Sequence, residues 1–321
     1  MPVEHELFFA NQRLLQTLAG LCADGRLSHA LLLEGENGLG KRRLARIIAA
    51  MALCKEGPGG CFRCDSCKNI LADNHPDVEI YGGAGGAGSF HIEDIRRLRQ
   101  HAGILPNQAD KRVFILENCE NMTTAAQNAL LKVLEEPPSY VMFILTAQNR
   151  NALLSTILSR VICFHLEELS KEEFARALPQ MAPTAAGEVD RLYQASGGNL
   201  GLAIQMAGDE RVQKQAECAL RLLLALRNRD EMEMLSICAG FERDKEGFLA
   251  CLGHLRRTLT TAMEGRLRGD SQAEEVLGGL STARVMEVTD LIDSTVLALR
   301  RNQNFSLTTT LFCASLNNIC N

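Results

Sequence analysis

Residues 35–42 read Gly35-Glu36-Asn37-Gly38-Leu39-Gly40-Lys41-Arg42. That run approaches G-x-x-x-x-G-K-[ST], a loop whose backbone N–H groups cradle phosphates. In it the lysine reaches the outer phosphates and the final hydroxyl holds Mg²⁺. Gly35, Gly40 and Lys41 stand at the right spacing, with Gly38 between them, and Arg42 replaces the hydroxyl. Phosphate chemistry is the first expectation, and a missing metal ligand is the first objection to it.

A second cluster follows at once. Cys61, Cys64 and Cys67 are spaced C-x2-C-x2-C, with Cys54 upstream. Three thiolates two residues apart can converge on one ion and a fourth closes a tetrahedron, so structural Zn²⁺ is the expected ligand. An iron–sulfur cluster shares the C-x2-C-x2-C spacing, but its bacterial form wants a further Cys at position 71, followed by Pro, and position 71 is Leu71. A redox C-x-x-C pair and unmetallated thiols are also compatible with the spacing. His75 could replace one Cys, although His75-Pro76-Asp77 reads better as the end of the insert. The remaining eight of the twelve cysteines are scattered, as small buried residues are.

The elements that must position these residues alternate. A helix over about 11–28 carries Leu14, Leu15, Leu18 and Leu21, and Ala30-Leu31-Leu32-Leu33 is a short apolar strand that stops at the glycine loop. Leu44, Ile47, Ile48 and Met51 then mark the following helix. Strands are expected at Val78–Tyr81, Val113–Glu117, Val141–Leu145 and Val161–Phe164. Gly82 to Ser89 reads as a mobile loop. Thr124-Ala125-Ala126-Gln127 has capping-box spacing, and its helix ends at Pro137-Pro138. Apolar strands alternating with helices imply a parallel sheet covered on both faces. After Leu166 only helices are expected. Val285, Val288, Ile292, Val296 and Leu299 trace one stripe, and Leu307, Leu311, Phe312, Leu316 and Ile319 another. The fold class is α/β followed by all-α.

Composition narrows the function. The chain has 321 residues, enough for two or three domains, and a net charge of -5. An acidic chain is a poor autonomous nucleic-acid binder, because phosphate contacts need clustered Lys and Arg. No apolar run approaches a bilayer span, and Met1-Pro2-Val3-Glu4-His5-Glu6 lacks a signal-peptide layout, so a cytoplasmic protein is expected.

Four stretches carry a family resemblance: Ser28-His29-Ala30-Leu31-Leu32-Leu33-Glu34-Gly35; the Cys54/Cys61/Cys64/Cys67 insert with His75-Pro76-Asp77; Asn128-Ala129-Leu130-Leu131-Lys132-Val133-Leu134-Glu135-Glu136-Pro137-Pro138; and Ile157-Leu158-Ser159-Arg160. Over about residues 7–166 the chain resembles the delta-prime subunits of the bacterial DNA polymerase III clamp loader, within the AAA+ proteins. The resemblance implies a AAA+ RecA-like domain over 1–166 with the metal insert at 54–67. A helical lid over 167–208 and a helical collar over 209–321 would follow. It further implies a hetero-pentamer with gamma/tau ATPase subunits and a delta subunit, which loads a sliding clamp onto primed DNA using ATP bound between subunits. Delta-prime subunits usually do not hydrolyse ATP.

Position by position, the resemblance implies a lapsed ATPase. The metal hydroxyl is replaced by Arg42; the third strand ends in Glu117-Asn118, where an Asp and a catalytic Glu are usual, and an amide cannot take a proton at neutral pH. Aligning Gly198-Asn199-Leu200-Gly201-Leu202-Ala203 with the lid pattern puts Leu202 at the lid's cationic position. Thr146 retains the phosphate-sensing position. Gly35, Gly38, Gly40, Lys41 and Thr146 therefore form a degenerate nucleotide site, and ATP binding by this chain is not expected. Arg160, in the place of the family's Ser-Arg-Cys arginine with Val161 for the Cys, is expected to act in trans on a neighbour's γ-phosphate. Arg96, Arg97 and Arg99 suit either a solvated helix face or a DNA backbone. The expected function is a non-hydrolysing clamp-loader subunit. Its rivals are an active clamp-loader ATPase and a zinc-containing DNA-binding module.

Overall fold

The computed structural model describes residues 11–57, 59–82, 90–267, 269 and 271–320. Residues 83–89 of the expected glycine loop lie outside them. The chain divides into two units, Met1–Leu169 and Ser170–Asn321.

In the first unit, α1 (Gln12–Ala23) precedes β1 (Ala30–Glu34), and α2 (Lys41–Leu53) and α3 (Asp65–Leu71) lead to β2 (Val78–Tyr81). Then come α4 (Ile92–Ala102), β3 (Arg112–Leu116), α5 (Thr124–Glu135), β4 (Val141–Ala147), α6 (Ser155–Leu158) and β5 (Ile162–His165). The five strands form one parallel sheet in the order β2-β3-β4-β1-β5. Central β1 and β4 are buried on both faces, as their unbroken apolar runs require, while edge β5 exposes Ile162. On one face Leu32, Phe114 and Phe143 pack with Ile95 and Leu98 of α4 and Leu130 and Leu134 of α5. The Phe114 and Phe143 rings stack at 5.6 Å. Leu33 pairs with Thr146 and Leu116 with Leu145, so the carboxyl ends of β1, β3 and β4 finish side by side. Open α/β sheets place ligands at such a rim.

Two local expectations shift. The cap of α5 is Thr123, whose hydroxyl accepts from the Ala126 N–H, and not Thr124. Gln127, freed from any capping role, is buried. Its side-chain amide donates to the Met122 and Ala152 carbonyls and its oxygen accepts from Leu154 N–H at 2.8 Å. It thereby anchors the segment that leads into α6.

The second unit is helical: α7 (Lys171–Met181), α8 (Val189–Ser196), α9 (Leu200–Gly208), α10 (Glu210–Asn228), α11 (Glu231–Ala239), α12 (Lys245–Leu267), α13 (Ser271–Leu277), α14 (Thr282–Arg300) and α15 (Phe305–Cys320). Its core gathers Leu222 and Leu226, Met234, Phe248, Leu252 and Leu255, Val288 and Ile292, and Phe312 and Leu316. The stripe expected on α14 is buried, with Val296 half-buried. On α15 the packed face is Phe305, Phe312, Cys313 and Leu316 with buried Thr309, whereas Leu307 and Leu311 are exposed. Of the expected stripe Phe312, Leu316 and half-buried Ile319 do pack, and Leu307 and Leu311 do not; Thr309 takes a place on the packed face because its hydroxyl is satisfied on the Phe305 carbonyl and can be buried. Among the described residues no helix is long and apolar enough to cross a membrane.

Candidate functional site

The loop after β1 adopts the turn its glycines permit. Gly35 has φ 152° and a Cβ there would lie 2.9 Å from the Leu166 carbonyl oxygen; Gly40 has φ 84° and caps α2. Both need a residue without a side chain. Lys41 is buried and turns back on the loop, donating to the Gly35 carbonyl at 2.5 Å and the Glu36 carbonyl at 2.8 Å. Burial lowers its pKa to about 8, against the opposing pull of Glu120 and Glu36. Gly35, Gly38, Gly40 and Lys41 thus form one compact turn between β1 and α2, closed by the lysine.

The carboxylate beside the loop is engaged by protein charge. Arg42 Nε lies 2.9 Å from Glu117 Oε2, and Arg46, one turn further along α2, places Nη1 3.1 Å from Glu117 Oε1. Glu117 is 2% exposed, so both of its oxygens meet a guanidinium in a site with little water. Arg46 also grips Asp73, just past α3, with Nε at 2.5 Å and Nη2 at 2.9 Å. That hydrogen bond is the first reason its pKa is raised. Asp73 follows the cysteine insert, so one arginine ties the insert to the rim of the sheet. Sequence reading missed Arg46. The available signal was its i+4 spacing from Arg42, which puts the two on one helix face.

Beside this cluster, Asn118 holds a left-handed conformation and its N–H donates to Thr146 Oγ1 at 3.0 Å. Thr146 is fully buried. Glu120 has one buried carboxylate oxygen without a hydrogen-bond partner.

Arg160 sits elsewhere, just past α6. Its Nη1 donates to the Thr156 carbonyl at 2.7 Å and to Ser159 Oγ at 3.1 Å, and Nη2 is 2.8 Å from Glu135 Oε1 at the end of α5. The side chain remains 34% exposed. Glu135 as its partner was also missed. Arg96, Arg97 and Arg99 are exposed on α4, with Arg96 3.7 Å from Glu93. Leu202 lies half-buried in the first turn of α9.

The sulfurs of Cys54, Cys61, Cys64 and Cys67 all lie within 4.8 Å of one another. A tetrahedral thiolate shell at about 2.3 Å per bond needs sulfurs roughly 3.8 Å apart, so the four fit one ion with small rotations. Backbone N–H groups of Cys61, Cys64 and Cys67 point at the Cys54, Cys61 and Cys64 sulfurs at 3.3–3.4 Å. Burial opposes ionisation of Cys54, but the N–H groups of Cys61 and Glu56 outweigh it and bring the thiol down to about 7. Burial pushes Cys67 up. His75 is not aimed at the cluster. Its Nδ1 accepts from the Asp77 N–H at 3.1 Å, which leaves Nε2 to donate to Ser66 Oγ at 3.1 Å. Asp77 in turn accepts the N–H groups of Asn107, Gln108 and Ala109. His75-Pro76-Asp77 therefore closes the insert and pins the loop before β3.

Residues 10–170 match the family described as DNA polymerase III, delta subunit. A DNA polymerase III subunit tau/gamma of Haemophilus influenzae is 34% identical over 170 residues, which is 52% of this chain and 24% of that protein. A DNA polymerase III subunit delta' of Yersinia pestis is 37% identical over 150 residues, 46% of this chain and 44% of that one. The Haemophilus influenzae subunit delta' is 28% identical over 278 residues, 85% of this chain and 79% of that one. The chain spans about a quarter of the length of the tau/gamma relatives it matches.

Proposed function

The chain belongs to the DNA polymerase III delta-subunit family of clamp-loader proteins, and from that premise we propose that it is a delta-prime subunit that does not hydrolyse ATP. It supports ATP-dependent loading of a sliding clamp onto primed DNA and lends Arg160 to a neighbouring ATPase subunit.

The observation that carries this reading is the pairing of Arg42 with Glu117. A working loop holds Mg²⁺ between a hydroxyl after the lysine and a carboxylate at the end of a neighbouring strand. Here a guanidinium stands where the hydroxyl would be and engages that carboxylate. A divalent cation would have to displace Arg42, would meet Arg46 on the other oxygen, and would find no hydroxyl ligand. Asn118 adds a missing base. Each change opposes hydrolysis and none opposes folding, since a paired buried carboxylate is stable where an unpaired one is not.

The remaining parts of the reading rest on chemistry of the same kind. Cys54, Cys61, Cys64 and Cys67 would hold Zn²⁺ as a closed structural site that stiffens the insert. Gamma/tau and delta subunits are the proposed partners in a hetero-pentamer. DNA contact would come through the assembly, in keeping with the net charge of -5.

The test is an ATPase assay on the chain alone and on a clamp-loader complex reconstituted with and without Arg160→Ala. The chain alone is expected to show no Mg²⁺-dependent turnover. The mutant complex is expected to lose turnover at the site facing Arg160 by about 10³-fold or more. Clear hydrolysis by the isolated chain would overturn the reading of Arg42 and Asn118, and full activity of the mutant complex would remove the role of Arg160.

A further inference from the structure

Within the second unit two thiols meet that take no part in the cysteine cluster of the first. Cys238, near the end of α11, and Cys313, in α15, have sulfurs 3.5 Å apart and are separated by 75 residues in the chain. Both belong to the apolar core, Cys238 at 2% exposure and Cys313 at 0%. A disulfide needs its sulfurs at about 2.05 Å, so the pair must close by about 1.5 Å for the bond to form. We propose that Cys238 and Cys313 are a redox pair, which a small peroxide converts to a disulfide fastening α11 to α15.

The chemistry balances with hydrogen peroxide as the oxidant. The Cys313 thiolate attacks one peroxide oxygen, the O–O bond breaks, and the departing hydroxide takes the proton released by Cys313 to become water. Cys313 is then a sulfenic acid. The Cys238 sulfur attacks it, the S–S bond forms, the S–O bond breaks, and the leaving hydroxide takes the Cys238 proton. Two thiols and one peroxide give one disulfide and two waters. Cys313 is the better first nucleophile. Its hydrogen bond with Cys238 favours the thiolate and brings it below the usual thiol value, while the same contact and burial raise Cys238. Peroxide is close to water in size, which suits a buried pair better than a bulky disulfide reagent. The loop so closed contains α12, α13 and α14, so the bond fastens the body of the helical unit to its last helix.

The test uses the full metal-loaded chain, treated with graded hydrogen peroxide, denatured, alkylated and mapped as peptides without reduction. The expected product is a Cys238–Cys313 cross-link that dithiothreitol removes, with the melting temperature of the helical unit raised on the order of 10 °C over the reduced chain. Cys313→Ser must abolish the cross-link, and Cys251→Ser, which alters another buried thiol of the same core, must retain it. The proposal fails if peroxide that oxidises half-buried Cys218 leaves Cys238 and Cys313 as free thiols, if Cys313 proceeds to sulfinic acid uncrosslinked, or if Cys251 is the partner found.

Discussion

Arg42 Nε stands 2.9 Å from Glu117 Oε2, so the residue that follows the loop lysine reaches the carboxylate just past the end of β3. The pair balances a buried carboxylate at the rim of the sheet. Glu117 meets a guanidinium on each oxygen, which holds the strand end to the start of α2; under the proposed function that pairing takes the place of Mg²⁺. Arg46 extends the arrangement to Asp73, which makes the cysteine insert and the loop one charged unit.

The two arginines should differ in cost. Arg46 is 17% exposed and serves two carboxylates, whereas Arg42 is 44% exposed and serves one. Truncating Arg46 leaves Glu117 with a single, solvent-screened partner, and Arg46→Ala should lose about 3 kcal/mol. Arg42→Ala should lose about 1 kcal/mol, discounted for its exposure. Urea unfolding of the two variants checks the order. A larger loss for Arg42 would mean that Glu117 depends on the loop and not on the Asp73 link.

Metal content is directly measurable. One Zn²⁺ per chain is expected by elemental analysis of protein purified without added metal. Cys61→Ser should lower that stoichiometry and the stability of the first unit, since three thiolates leave the tetrahedron open. Full zinc retention in a Cys61→Ser/Cys64→Ser double variant would place the metal elsewhere.

Asp77 supplies the pH dependence. It is fully buried, and although burial works against its charge, three backbone N–H groups hold its pKa below the ordinary carboxylate value. A depressed pKa contributes stability that is present above the unfolded value of about 3.9 and is lost as pH falls through the folded value. Asp77→Asn should therefore cost about 2 kcal/mol at neutral pH. The gap between variant and native chain should close on acidification below about pH 4. A gap that stays constant with pH would show that geometry, not charge, matters at this position.

Legibility in the sequence follows the range of each interaction. The strands at Ala30 and Val141 were readable because a buried parallel strand must be apolar along its whole length. The cysteine cluster was readable because three of its four sulfurs are supplied by one short segment. The cap of α5 was misplaced by one residue, since Thr123 and Thr124 are chemically equivalent and only the backbone decides between them. The partners of Arg46 and Glu135 were not readable, although the spacing of Arg46 from Arg42 put the two arginines on one helix face. Arg46 and Glu135 each look like an ordinary surface charge on a helix until the fold brings Glu117 to one and Arg160 to the other. Cys313 was hidden for the same reason, because its partner lies three helices away in the chain.

Glu135 offers the last prediction. Arg160 is proposed to act across a subunit interface, and in the chain alone its Nη2 is held 2.8 Å from Glu135 Oε1, with both side chains substantially exposed. An exposed pair contributes little to folding, so Glu135→Gln should change stability by less than about 1 kcal/mol. Its effect should instead appear in the assembled complex, where the orientation of the guanidinium sets how well it meets a partner's phosphate. Glu135→Gln should alter partner turnover by a few fold, while Arg160→Lys should behave nearly as Arg160→Ala, because an ammonium lacks the planar fork that a phosphate engages. Steady-state ATPase of the reconstituted complex with each variant separates the cases. Loss with Arg160→Ala but none with Glu135→Gln would leave Arg160 as an interface residue that Thr156 and Ser159 orient without help from Glu135.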